Sequence, residues 1–277
     1  MDEEIYVTSI SDRLRRGEND VWYVDGEEQI SYPDDVRLSY ARIEGSSYWF
    51  AHRNRCIISV VRRYAPQGPI VDIGGGNGAV ALALQRAGLP VIVVEPSAAA
   101  AQIARARGLS VIRGTFSRLA IPDGTISAAG LFDVLEHIGN EVEFLRDILR
   151  ALRANGVLYI TVPALPGLWS YEDKYAGHFR RYTVHRVRRV LSLAGFSVAF
   201  ATYLFSPLVL PIVLFRSIPS VFGLIPRRDR ELAEIHSLPA NLIGRWVNRL
   251  LSWEEARIDR GGSVPVGSSI LLVARKA

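Results

Sequence analysis

The chain has 277 residues, 49% of them hydrophobic and 22% charged, which supplies a sizeable core and excludes wholesale disorder. Its net charge of +5 is carried almost entirely by arginine, with no nucleic-acid-binding motif beside it, so no nucleic-acid partner is expected. The single cysteine, Cys56, excludes an intrachain disulfide and a Cys-based zinc site, and a Met-Asp-Glu-Glu start without a basic region and apolar run gives a cytoplasmic expectation.

Residues 1 to about 45 read as irregular, punctuated by Gly17, Gly26, Pro33 and Gly45. Tyr6, Trp22, Tyr23, Tyr32 and Tyr40 either staple this arm to the body or line a pocket. Ser46 and Ser47 can cap a helix to about Ala65, with Phe50, Ile57, Val60, Val61 and Tyr64 on one face. Arg53, Arg55, Arg62 and Arg63 lie mostly elsewhere and read as solvated. Arginine pairs such as Arg188-Arg189 and Arg227-Arg228 also read as helix faces, or as attraction to an anionic substrate or membrane surface.

Ile70-Val71-Asp72-Ile73-Gly74-Gly75-Gly76-Asn77-Gly78 is an apolar strand ending in a glycine turn, with a helix beginning after it. Such a junction is a site for a nucleotide-like ligand. Gly74-x-Gly76-x-x-Ala79 fits the dinucleotide fingerprint, so the loop alone leaves nicotinamide or flavin cofactors, and a turn with no ligand, open.

A regular alternation follows. Strands at 70–73, 91–94, 109–113, 126–131 and 157–162 are separated by helices at 78–87, from Ser97 to Arg107, and from Asn140 to about Arg153. Thr183 caps a further helix to Ala194, and strands at 196–205 and 268–275 complete the set. This predicts an α/β fold: a doubly wound, mostly parallel seven-stranded sheet with an antiparallel last strand, an N-terminal helical cap and an apolar helical insertion. The divisions are 1–66, arm and cap helix; 67–205, core; 206–264, insertion; and 265–277, closing strand.

Glu95, at the end of the second core strand and nineteen residues after Gly76, can accept both ribose hydroxyls of a bound nucleoside. Later residues separate the readings. Asp72-x-Gly74-x-Gly76-x-Gly78, the string Phe132-Asp133-Val134-Leu135-Glu136-His137-Ile138 and Leu152-x-x-x-Gly156-Val-Leu-Tyr-Ile-Thr-Val162 resemble motifs of the class I S-adenosylmethionine (SAM) dependent methyltransferases. The resemblance covers residues 48–200 and the closing strand. It implies SAM as cofactor, with Asp72 serving its amino-acid end, Gly74, Gly76 and Gly78 shaping the loop, Glu95 and Pro96 at the ribose, and Phe132 and Asp133 at the fourth strand's end. Thr115 and Phe116 would flank the adenine; Thr115 replaces the acid usual there. It also implies a cap helix over the SAM pocket, which makes His52, Arg53 and Arg55 lid contacts as a second reading.

Methyl transfer from a sulfonium is largely a matter of positioning. A protein base is needed only where the acceptor loses a proton. His178 and His137 are the residues read for that role. Tyr175-Ala-Gly-His178-Phe-Arg-Arg-Tyr-Thr183 resembles a loop over the methyl donor, and Arg180, Arg181 and Tyr182 are read as acceptor-binding; the competing reading pairs the arginines with local acids such as Glu172 and Asp173. Asp133-x-x-Glu136-His137 resembles a string that binds a divalent cation in some relatives, but no metal is assigned. His185 and His236 read as surface residues.

Residues 203–225 are apolar and long enough to suggest a membrane span, but Pro207, Pro211, Pro219 and Arg216 interrupt them, which argues against a span. An apolar segment followed by Arg227, Arg228 and Arg230 remains as a lid on the acceptor pocket, a homodimer surface, or a peripheral membrane contact through 203–230. A helix at 239–257, with Leu242, Ile243, Trp246, Leu250 and Trp253, is expected to pack on it. The expected function is transfer of a methyl group to an O- or N-nucleophile of a small-molecule acceptor: a sugar, a natural-product intermediate or a lipid-linked compound. A nicotinamide oxidoreductase and a non-catalytic SAM-binding module are the alternatives.

Overall fold

The structure, a computed structural model, describes residues 3–17, 20–24, 44–45, 47–224 and 242–276. Tyr32, Tyr40, the cap at Ser46, Arg227, Arg228, Arg230, His236, the start of the helix expected at 239 and the side chain of Ile243 lie outside the described residues.

The core strands are β3 (Ile70–Ile73), β4 (Val91–Glu95), β5 (Ser110–Arg113), β6 (Ile126–Phe132), β7 (Leu152–Pro163), β8 (Phe196–Leu204) and β9 (Ser269–Lys276). They occur in the order β5-β4-β3-β6-β7-β9-β8. The first five run parallel, and β9 is antiparallel to both β7 and β8. Two short strands extend the edge to nine: β1 (Arg15–Arg16) and β2 (Trp22–Tyr23), the latter pairing with β5. These strands and helix α1 (Glu3–Ile10) fall in the arm read as irregular. Two-residue strands have too little periodicity to register in a sequence pattern.

Every residue of β3, β4 and β6 is buried, as a parallel sheet covered on both faces requires. Alternate side chains feed two cores. Val71, Ile73, Ile92 and Val94 join α5 (Glu141–Ala151) and α7 (Val184–Ala194) on one face. Ile70, Val91 and Val93 join α2 (Tyr48–Arg63), α3 (Ala79–Arg86) and α4 (Ala98–Ala106) on the other. The caps fall where the side chains allow them: Ser47, Ser97, Asn140 and Thr183 each accept an N–H from the first turn of the helix that follows. The helix after Asn140 stops at Ala151, two residues before its expected end, because β7 already begins at Leu152.

The chain leaves β3 toward β4 and β5, then crosses back to β6 and β7. The loops after β3 and β6 therefore part at a switch point, where open sheets of this kind bind ligands.

The insertion starts with a turn at Ser206–Leu208. It continues through α8 (Val209–Ile212), a π-helical turn at Val213–Ser217 and α9 (Ile218–Val221), and α10 (Leu242–Asp259) returns to the core. No described helix is long and apolar enough to cross a membrane. Glu254 on α10 fixes the root of the insertion. It is fully buried and accepts hydrogen bonds from Phe205 N (2.6 Å), Ser206 N (2.9 Å) and Ser206 Oγ (2.8 Å), with His52 Nε2 of α2 at 2.8 Å. Trp49 of α2 stacks on Phe205 at 3.6 Å between ring centroids. His52 is thus interior rather than solvated, because the helix face opposite its apolar stripe is covered by α10.

Candidate active site

A cavity of about 1050 Å³ opens at the switch point, large even for a drug-sized ligand. Its donor end is built by the β3 and β4 loops. Gly78 caps α3 at φ 76°, and a Cβ there would stand 2.4 Å from Leu109 Cδ1. Gly74 at φ 70° would bring a Cβ to 2.9 Å from Val134 Cγ2. Both positions therefore require glycine. Glu95 is buried and holds the loop: its carboxylate accepts from Gly76 N at 2.9 Å and Ser97 N at 2.8 Å.

Asp72 is in a different condition. It is 1% exposed, and neither carboxylate oxygen has a hydrogen-bond partner among the described residues. Burial pushes its carboxyl up to about 7; the Arg53 guanidinium opposes that rise and Glu95 adds to it. An orphaned buried acid on a ligand cavity awaits a donor that the protein does not supply. The ammonium of an amino-acid cosubstrate fits it, as does the rest of the wall: Pro96, Thr115, Phe116 and Phe132.

Asp133 follows β6 at φ 59°, a left-handed backbone that is strained for a non-glycine residue. Its carboxylate accepts from Thr161 Oγ1 at 3.0 Å and pairs with Arg53 of α2. Arg53 is 7% exposed, so it belongs to the cavity roof and not to a solvated face. Arg55, two residues on and on another side of the helix, stays at the surface with Glu255.

The acceptor end is a network of charges. His178 Nδ1 lies 3.0 Å from Asp173 Oδ1, which also accepts from Arg181 Nε at 2.7 Å. Burial alone would raise the Asp173 carboxyl, but the hydrogen bond from His178 and the charge and hydrogen bond of Arg181 outweigh it and hold it at about 2. With Asp173 ionised, the Nδ1–H of His178 donates to it, and Nε2 is the ring nitrogen left toward Glu136 and the cavity. Nε2 is 4.0 Å from Glu136 Oε1. Burial and repulsion from Asp133 raise the Glu136 carboxyl well above its usual range. His137 and His178 meet edge to face at 4.8 Å, and Glu136, His137 and His178 each bring one potential ligand atom within 4.8 Å of the others.

Of the residues singled out from the sequence, Asp72, Gly74, Gly76, Glu95, Pro96, Thr115, Phe116, Phe132, Asp133, His137, His178 and Arg181 line the cavity. Gly78 shapes it from behind. Arg180 and Tyr182 turn the other way. Arg180 Nη1 donates to Glu141 at 2.8 Å and Ile138 O at 2.9 Å, and the fully buried Tyr182 hydroxyl donates to Glu141 at 2.6 Å. Their placement supports positioning of the loop and not contact with an acceptor. Sequence reasoning weighed Glu136 only within a possible metal-binding string and Asp173 only as a local acid for the arginines, and did not join either to His178. Asp173 carried a signal, the Ser170-x-x-Asp173 capping box that the helix Tyr171–Tyr175 uses. Leu208, Pro211, Ile212 and Phe215 of the insertion close the apolar wall.

Residues 49–199 match the methyltransferase-domain family Methyltransf_23. The chain is 27% identical over 122 residues to a probable S-adenosylmethionine-dependent methyltransferase of Mycobacterium tuberculosis, a match covering 42% of this chain and 43% of the relative. A probable S-adenosylmethionine-dependent methyltransferase of Mycolicibacterium smegmatis is 25% identical over 183 residues, 62% of this chain and 70% of the relative. The chain thus spans under half the length of the first of these curated relatives. Among solved structures, a possible histamine N-methyltransferase from Thermotoga maritima shares the fold, with TM-score 0.53, 20% identity and coverage of 88% of this chain and 96% of that one. A phosphoethanolamine N-methyltransferase from Haemonchus contortus, solved with SAM, has TM-score 0.55 and 15% identity over 90% of this chain and 58% of that one. The family model spans more than half of the chain, which therefore belongs to the Methyltransf_23 methyltransferase-domain family, and its fold is shared by SAM-dependent methyltransferases of known structure.

Proposed function

We propose that the protein transfers the methyl group of SAM to an O–H or N–H nucleophile of a small molecule, with His178 as the base. The observation that carries this reading is the Asp173–His178 pair, with Nδ1 on the Asp173 carboxylate and the ring on the cavity beside an apolar wall. SAM, when bound, supplies an already activated methyl group. Asp72 receives its ammonium, Glu95 its ribose hydroxyls, and Thr115 and Phe116 flank its adenine. His178 Nε2 takes the acceptor's proton, and the Asp173 carboxylate stabilises the imidazolium that results. Arg181, locked on Asp173 and Ala164 O, holds that acid in place. His137 packs against His178 and supports its ring. The insertion walls the acceptor, and its apolar lining suits an acceptor with an apolar body and one polar group.

The Glu136, His137 and His178 cluster favours a second reading, in which a divalent cation holds the acceptor's oxygen. Turnover that survives a chelator removes it. A complex with S-adenosylhomocysteine tests the main reading: the amino group is expected on Asp72 and the sulfur facing His178. A sulfur turned from His178 contradicts the assigned base.

A further inference from the structure

The two arms of the insertion carry apolar surface that the protein does not bury. On the first arm Leu210, Leu214, Phe215, Ile218, Val221, Phe222 and Leu224 are exposed, Val221 by 80% and Phe215 by 76%. On α10 the exposed apolar residues are Leu242, Trp246, Leu250 and Trp253, a stripe at helical spacing. The opposite side of the same helix holds Leu251, Glu254 and Ile258 in the core. An ordinary surface helix is apolar on one side only, so α10 has a second face that calls for an apolar medium.

Charge indicates which medium. Residues 206–224 and 242–253 contain no acid, and they contain Arg216, Arg245 and Arg249. Arg216 pairs with Glu172. Arg245 and Arg249 form no ion pair among the described residues, and at 100° per residue they border the exposed stripe along one side. Arg249 lies over the Trp246 ring at 6.0 Å. Tryptophan and leucine bordered by arginine is the pattern of a helix lying in an anionic lipid interface. A second copy is a poorer match, because a two-fold contact would oppose this face to itself, and the face offers its arginines no acid.

The patch also adjoins the catalytic cavity. Phe215 lines the cavity wall with Leu208, Pro211 and Ile212 while the residue stays largely exposed. We infer that the insertion seats the protein in the surface of an anionic bilayer, and that the acceptor is an amphiphile whose polar head enters the cavity past Phe215 while its tail stays in the lipid. The acceptor clause rests on the methyl-transfer reading; the membrane seat does not.

The test is flotation of the full chain with vesicles of phosphatidylcholine alone and of three parts phosphatidylcholine to one part phosphatidylglycerol, with SAM affinity measured in parallel by calorimetry. Binding to the mixed vesicles is expected, weaker by about tenfold or more on phosphatidylcholine alone. Val221→Asp with Phe222→Asp, neither of which lines the cavity, should abolish flotation and leave SAM affinity unchanged. Arg245→Gln and Arg249→Gln should each weaken it about fivefold. Absence of flotation, equal binding to both vesicles, or full binding by the aspartate variant overturns the seat, as does a dimer that the aspartate variant breaks in a protein that does not float. Flotation without SAM binding upholds the seat and overturns the methyl-transfer reading, whereas SAM binding without flotation overturns the seat alone.

Discussion

The donor and acceptor ends of the cavity handle charge in opposite ways. At the donor end, backbone N–H groups and glycine turns fix the shape, and the principal acid, Asp72, is left buried with no partner among the described residues. At the acceptor end Asp173 is paired with His178 and Arg181, and behind the wall Glu141 with Arg180, Arg186 and Tyr182; Glu136 is the exception, its Oε2 buried without a hydrogen-bond partner among the described residues. A group left unpaired at a cost of burial is waiting for a ligand; groups paired with one another hold a third group in position. On the proposed reading Asp72 binds the cosubstrate, whereas Asp173, held by Arg181, orients His178.

That contrast can be broken experimentally. The largest effect should come from His178→Ala, which lowers turnover by about 10²–10⁴-fold and leaves the dissociation constant for SAM unchanged. An equal loss of SAM affinity would place His178 at the donor end instead. Asp72→Asn should weaken SAM by roughly 10–150-fold, the worth of a hydrogen bond to a charged group.

The same acid sets a pH dependence. With its carboxyl raised to about 7, Asp72 is protonated more readily in the folded chain than in the unfolded one. The ligand-free protein accordingly loses stability as pH rises from about 4 to about 7. SAM, whose ammonium needs the ionised form, should weaken below pH 7 by up to about tenfold per unit. Calorimetry across that range checks this, and Asp72→Asn should flatten the profile. The smallest effect is expected from Arg180→Ala, which lies off the cavity: less than about threefold in turnover, with a loss of about 1–3 kcal/mol in denaturant unfolding from the vacated Glu141 pair. A large loss in acceptor affinity would return Arg180 to the acceptor site.

Much of this was legible in the sequence, for definable reasons. The seven core strands are short apolar runs bounded by glycine, proline and capping residues, all local signals, and the glycine loop is local as well. The edge strands Arg15–Arg16 and Trp22–Tyr23 were not legible, because the second joins the sheet only through long-range pairing with β5 and the first only through the second. The role of His52 depends on Glu254 of α10, some two hundred residues later in the chain, and that of Arg53 on Asp133, eighty residues later. Arg180 and Arg181 are adjacent and chemically alike. Only the backbone, bridged at Ala164 and Tyr182, sends one into the cavity and the other onto Glu141. Between the local readings proposed for them, Asp173 claims Arg181 as the local-acid alternative expected, whereas the partner of Arg180 is the more distant Glu141.

The central claim, that the unpaired acid Asp72 of β3 receives SAM, is tested most directly by calorimetric titration of the protein and of Asp72→Asn with SAM and with NADH. The account predicts one SAM site per chain, weakened in the variant, and no response to NADH. Binding of NADH without SAM, or SAM binding indifferent to Asp72, would contradict it.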